Sequence, residues 1–198
     1  MEYIFHLEKD RKLSKIIVES LPELTLRKNI PIRLMASIMS QQLSTHVANV
    51  IFRRFVELYK GKEPTVSMVL ATDSTLLRGI GLSNNKVSYI LNVASFCIEH
   101  NITDKKLQKM DNESIIELLT QIKGVGRWTV EILLMFSLGR EDVFAVDDLG
   151  IQQAMIRLYK LDNSDKKAFK DKMLLLSEKW SPYRTYACMH LWQWKDDK

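Results

Sequence analysis

Two short constellations hold residue types suited to chemistry. In the first, Lys123-Gly124-Val125-Gly126-Arg127, two glycines one residue apart separate one helix-forming run from the next. Glycine accepts positive φ and lets backbone come close to a partner with no Cβ in the way. The amides of Gly124, Val125 and Gly126, at a helix N-terminus, are therefore expected to form an anion site suited to a nucleic-acid phosphate. Lys123 and Arg127 would flank it with positive charge, fixing register without reading sequence. Taken alone, Gly-Val-Gly serves equally as an ordinary turn between helices. In the second, Asp147-Asp148 follows Phe144-Ala145-Val146 and opens the helical pattern Leu149-Gly150-Ile151-Gln152-Gln153-Ala154. Locally the pair reads as a helix N-cap. What singles it out is its distance from the glycine turn, 22 positions from Gly126 to Asp148 (148 − 126).

The elements that must position these residues read as helices. Residues 10–21 put Leu13, Ile16, Ile17 and Leu21 on one stripe, and residues 44–60 run Val47, Val50, Ile51, Phe55 and Leu58 behind Ser44 as N-cap. Ser83 caps a run through Val87, Ile90, Leu91, Val93 and Ala94; residues 112–120, 126–138, 148–159, 165–179 and 183–193 complete the set. No run alternates for long with period two, so the expected fold is all-α. Residues 128–138 show almost no polar face and are expected to be buried centrally, with Glu131 as the exception. That carboxylate either lines a pocket or simply favours the helix dipole. Residues 138–147 form the expected connection between two lobes.

Composition narrows the field without deciding it. With 46% hydrophobic and 27% charged residues in a chain of 198, a core and a hydrated surface can both form. The 29 basic residues outnumber the 24 acidic ones, which mildly favours a polyanionic partner. Two cysteines without metal-ligand spacing exclude zinc ribbons and iron–sulfur clusters. No apolar stretch is long enough to span a membrane and the start lacks a signal-like pattern, so a cytoplasmic protein is expected, associated with the nucleoid if prokaryotic.

Lys123-Gly124-Val125-Gly126-Arg127-Trp128-Thr129, Asp142-Val143-Phe144 and Asp147-Asp148-Leu149-Gly150 together resemble the helix–hairpin–helix DNA glycosylase superfamily. Within it the likeness is to DNA-3-methyladenine glycosylase II of the AlkA type and covers about residues 30–194. The AlkA prototype has an additional N-terminal β domain, which a chain of this length is expected to lack. The resemblance implies two helical lobes, 30–139 and a second from 1–29 with 140–198, and an active-site cleft between them. It makes Asp148 the catalytic carboxylate. Breaking an N-glycosidic bond builds positive charge on the sugar, which a fixed carboxylate stabilises while it orients water.

Further residues follow from the same resemblance. Trp192, in Trp180-Ser181-Pro182-Tyr183-Arg184-Thr185-Tyr186-Ala187-Cys188-Met189-His190-Leu191-Trp192, would stack on the displaced base, with Trp128, Glu131 and Ile132 completing the base pocket. Electron-rich rings suit alkylated, cationic purines. Ile132 departs from the pattern, since a tyrosine stands there in the best-known member. Tyr183, Tyr186 and Trp194 read as core, and His190 as a satisfied structural histidine. Ile38-Met39-Ser40-Gln41-Gln42-Leu43-Ser44-Thr45 resembles the loop that enters the base stack, with Gln42 as wedge and Leu43 as the fallback. No cofactor is required, although relatives hold a monovalent cation on hairpin carbonyls matching Thr120, Ile122 and Val125. Bifunctional relatives have a lysine where Trp128 stands, so a water-using, monofunctional enzyme is expected. It would act as a monomer on double-stranded DNA containing damaged bases. The alternatives are a bifunctional glycosylase/lyase and a non-catalytic DNA-binding module.

Overall fold

The computed structural model describes residues 2–196. In chain order the helices are α1 (Glu2–Leu7), α2 (Ile30–Ser40), α3 (Thr45–Glu57), α4 (Val66–Leu70), α5 (Ser74–Gly79) and α6 (Asn84–Glu99). They continue with α7 (Asp104–Lys109), α8 (Asn112–Leu119), α9 (Arg127–Phe136), α10 (Leu149–Tyr159), α11 (Lys166–Ser177) and α12 (Arg184–Asp196). Among the described residues there is no strand, so the fold is all-α. No helix among them is long and apolar enough to cross a membrane.

The chain divides into two compact units, one of residues up to Thr25 together with those from Leu134 on, the other Leu26–Leu133. The division falls within α9, and residues 138–147 belong to the first unit.

In Leu26–Leu133, α6 packs against α2, α4 and α5, and α2 packs against α3. Leu34, Met35 and Ile38 of α2, Phe55 of α3, Leu77 of α5 and Ile90 of α6 are fully buried there. Each such side chain contributes about 1.5–3 kcal/mol relative to remaining in water. Side-chain caps fix where the helices begin. Ser44 accepts from the Val47 amide, Ser83 from Lys86 and Asp111 from Ser114. The start of α2 is held from outside, because the Asp104 carboxylate accepts from the amides of Asn29 (2.7 Å) and Ile30 (2.8 Å). That places a negative charge at a helix N-terminus, where the dipole favours it.

The other unit is organised around α12, which packs on α10 and on the 3-10 turn Leu13–Ile16. A helix over 10–21 does not form. The Asp10 carboxylate accepts from the amides of Lys12 and Leu13, which closes a tight turn, and Ile17 is already extended. This competition of an aspartate with the helix ladder is what local periodicity overlooks. Asp10 also accepts from the Tyr159 hydroxyl (2.8 Å) and Trp180 Nε1 (3.2 Å). Burial works against its charge, yet these donors outweigh it and hold the carboxyl below the usual range. The run 165–179 is likewise broken, into α11 and the 3-10 turn Glu178–Trp180.

Candidate active site

Asp148 is the N-cap of α10. Its Oδ1 accepts from the Ile151 amide at 2.9 Å and from the indole Nε1 of Trp192, on α12, at 2.8 Å. The side chain is half-buried, so its carboxylate is oriented by two N–H donors but not sealed from solvent. Asp147 does not share the cap. It is exposed and pairs with Lys170 of α11. The two adjacent aspartates thus do different work: one anchors α11, the other starts α10 and faces Trp192.

The segment leading to Asp148 is strapped to the start of α12. Arg184 grips Asp142 with two bonds, Nε to Oδ1 at 2.6 Å and Nη2 to Oδ2 at 3.0 Å, and the Ser181 hydroxyl donates to Oδ2 at 2.9 Å. Burial would raise the Asp142 pKa, but hydrogen bonds from Arg184 and Ser181 and the Arg184 charge hold it below the usual range. Thr185 completes the strap, donating its hydroxyl to the Arg140 carbonyl (2.7 Å) and accepting from the Val143 amide (3.1 Å). The run Val143-Phe144-Ala145-Val146 is buried, so the chain reaches Asp148 from a fixed base.

Two residues beside the carboxylate escape a reading of local pattern. A Cβ on Gly150 would stand 3.0 Å from Asp148 Oδ1 and 3.1 Å from Trp192 Cδ1. Phe136, at the end of α9, sets its ring 5.9 Å from that of Trp192 and is 40% exposed. The expected central burial of 128–138 fails on this face, where Trp128 is 36% exposed and Ile132 half-buried. Trp128, Ile132 and Phe136 recur every fourth residue, so a stripe of α9 is apolar without being core. That spacing was the available signal.

The remaining aromatics of α12, Tyr186 and Trp194, are half-buried and not core as expected, as is Tyr183 just before the helix. Trp194 receives the Arg157 guanidinium 4.6 Å from its ring centroid, and Tyr186 stacks on Tyr3 at 4.0 Å and donates to Glu141. His190 is fully buried and only partly satisfied: Nδ1 accepts from the Val18 amide (3.3 Å), while Nε2 has no hydrogen-bond partner. Burial pushes its pKa down to about 4, so the ring is neutral at pH 7.

In Leu26–Leu133 the glycine turn joins α8 to α9. Gly124 has φ +100°, and a Cβ there would sit 2.2 Å from Tyr89 Cγ, so this glycine is required by the flat approach of a ring from α6. Asn92, one turn further on α6, donates to the Lys123 carbonyl at 3.1 Å. Neither Tyr89 nor Asn92 is marked by local sequence. Gly126 is exposed and a Cβ there would meet nothing, which leaves room for a partner.

Two expectations for the turn need correction. Val125 is buried and its amide donates to the Ile122 carbonyl at 3.0 Å, so it closes the turn and does not point outward. Arg127 does not offer a free charge. It pairs with Glu113 through both terminal nitrogens (3.1 and 2.7 Å) and with Glu131 through Nε at 3.0 Å. Hydrogen bonding to Glu113, then the charges of Glu113 and Glu131, hold the guanidinium more firmly protonated against its partial burial. Glu131, 2% exposed, is a buried counter-ion and does not line a surface pocket. Lys123 is exposed as well, whereas the exposed part of Arg127 is engaged by Glu113.

The loop after α2 is held by Lys86, whose ammonium donates to the carbonyls of Met39 and Gln41, both at 2.8 Å; burial lowers its pKa. Gln41 turns inward to Thr129 Oγ1 (3.2 Å), whereas Gln42 is exposed at φ +60° and Leu43 is 38% exposed. A left-handed non-glycine residue stores strain of about 1–3 kcal/mol, which Gln42 shares with Asn29, Lys60, Asn101 and Lys160.

A helix–turn–helix with an open glycine, together with a carboxylate at a helix start braced by an indole, defines a helix–hairpin–helix protein with an acidic centre. Residues 35–182 match the HhH-GPD superfamily of base excision DNA repair proteins, and the chain belongs to that family. DNA-3-methyladenine glycosylase 1 of Schizosaccharomyces pombe is 37% identical over 186 residues, covering 92% of this chain and 80% of the relative. The solved structure of S. pombe 3-methyladenine DNA glycosylase with abasic DNA superposes with a TM-score of 0.84 at 34% identity, over 98% of this chain and 96% of that one. DNA-3-methyladenine glycosidase from Bacillus halodurans gives 0.81 at 32% identity, over 96% and 87%.

Proposed function

We propose that the chain is a monofunctional DNA glycosylase that removes alkylated purines, of the 3-methyladenine and 7-methylguanine type, from double-stranded DNA. The observation that carries this reading is the half-buried Asp148 carboxylate, fixed by the Ile151 amide and the Trp192 indole. Support for the substrate class comes from the similar S. pombe and B. halodurans proteins, which are named for 3-methyladenine removal.

In this reading Lys123 and the open backbone at Gly126 contact a phosphate, and Gln42, or Leu43 in its place, fills the gap left by the displaced nucleotide. Filling that gap offsets part of an unstacking cost on the order of a few kcal/mol. The base lies against Trp192, with Phe136 beside it; Trp128 and Ile132 are further candidates for base contact. An alkylated purine carries positive charge, so ring faces attract it more than a normal base. As the C1′–N bond breaks, its electron pair neutralises the departing base and leaves the positive charge on the sugar. Asp148 stabilises that charge and orients a water, whose oxygen bonds to C1′ and whose proton passes to the carboxylate or solvent.

Trp128 stands directly after Gly-Val-Gly-Arg, so that position has no amine for a Schiff base. A monovalent cation on the carbonyls of Thr120, Ile122 and Val125 would add positive charge near a phosphate. The Ile122 carbonyl already accepts from Val125, and its second lone pair can serve a cation. The enzyme is proposed to act as a monomer in the cytoplasm.

The test is chromatography of bases released from methylated duplex DNA. Release of methylated purines with the strand left intact, and no covalent complex trapped by borohydride on abasic DNA, is the expected result. Trapping would indicate a lyase, and DNA binding without release a non-catalytic module; either result overturns the proposal.

A further inference from the structure

The carboxylate of Asp148 has two kinds of anchor. The Ile151 amide is the ordinary partner of any aspartate capping a helix. The Trp192 indole comes from 44 positions further along the chain, and local helix geometry does not supply it. What allows it is the absence of a side chain at position 150. A Cβ there would stand 3.0 Å from Asp148 Oδ1, 3.1 Å from Trp192 Cδ1 and 3.3 Å from Trp192 Nε1. To admit it, Oδ1 or the indole would have to give way by a few tenths of an ångström, and Oδ1 is tied to both the Ile151 amide and the indole Nε1.

Nothing else about the position calls for glycine. Gly150 lies in the first turn of α10 and needs no left-handed conformation. Glycine within a helix costs up to about 1 kcal/mol relative to alanine. A residue unfavourable to its own helix, touching the carboxylate and the indole together, is explained by the contact it admits.

We infer that Gly150 is a positioning residue for base excision: its missing side chain lets the Trp192 indole hold Asp148, so the ring that meets the base and the carboxylate that meets the sugar form one rigid pair. The inference rests on Asp148 and Trp192 having the roles proposed above. Binding of a base against the ring then fixes the charge relative to C1′, where displacement by a fraction of an ångström reduces transition-state stabilisation.

Single-turnover excision from methylated duplex DNA, thermal unfolding and the indole N–H resonances of the four tryptophans provide the test. Gly150→Ala is expected to keep the melting temperature and DNA affinity while excision falls about tenfold or more, as for a lost hydrogen bond to a charged group. Trp192→Phe, which keeps a ring but removes the donor, loses a similar factor, and the double variant loses no more than either single one. The Trp192 N–H resonance, identified by its disappearance in Trp192→Phe, shifts in Gly150→Ala. An unmoved resonance, a wild-type rate in Gly150→Ala, or multiplying losses in the double variant would overturn the inference. Full excision by Asp148→Asn would instead overturn the reading beneath it, whatever the resonance does.

Discussion

The glycine turn between α8 and α9 and the carboxylate corner at the start of α10 treat charge in opposite ways. At the turn, the most prominent cation is consumed internally, since Arg127 is held by Glu113 and the buried Glu131. What faces outward is backbone at Gly126 and the ammonium of Lys123. At the corner, Asp148 is oriented by neutral N–H donors, while the neighbouring Lys170 is drawn off by Asp147. A surface that only has to grip a repeating backbone can use side-chain charge for rigidity. A group that must meet charge developing on a substrate is instead held by N–H donors that fix where its oxygen points.

The largest expected effect is at the corner. Asp148→Asn should lower excision by about 10²–10³-fold with duplex binding retained, as for removal of one preorganised electrostatic group; coupled base-release and binding assays check this. Loss of binding along with rate would erase the division of labour between the two regions.

The two glycines of the turn should then separate. Gly124→Ala drives a Cβ into the Tyr89 ring at positive φ and is expected to destabilise the fold by about 2–4 kcal/mol, read from denaturant unfolding. Gly126→Ala meets nothing in the free protein, so its unfolding curve should match the parent while affinity for duplex DNA falls several-fold. Equal effects on stability would show that both glycines are merely structural.

The smallest effects distinguish the two cations. Lys123→Ala should leave stability within about 0.5 kcal/mol and reduce the slope of log affinity against log salt by about 1. Arg127→Met should do the reverse, costing about 1–2 kcal/mol by removing a counter-ion of buried Glu131, with the slope unchanged. The cost is modest because the Arg127 side chain is 47% exposed and solvent screens its charge. A salt slope that follows Arg127 would place its charge on the DNA after all.

Much of the fold was legible because its signals are local. Ser44 and Ser83 cap helices where the periodic pattern begins, and a cap from the aspartate pair is observed as well. The pattern misled where a side chain competes with the ladder, as Asp10 does over 12–13. It also misled along α9, where apolar composition was equated with burial although Trp128, Ile132 and Phe136 leave one stripe open.

By itself the sequence determined the helical class, the glycine turn, the position of the aspartate pair and membership of a DNA-repair family, because caps, periodicity and motif spacing are properties of neighbouring residues. The tertiary structure alone decided which aspartate caps α10, that Arg127 is neutralised, that Gly124 makes room for Tyr89 and that Gly150 makes room for Trp192. The last two outcomes depend on residues dozens of positions apart meeting within about 3 Å, and the first two on which of several nearby groups a side chain turns to, choices made at the range where hydrogen bonds and steric exclusion act.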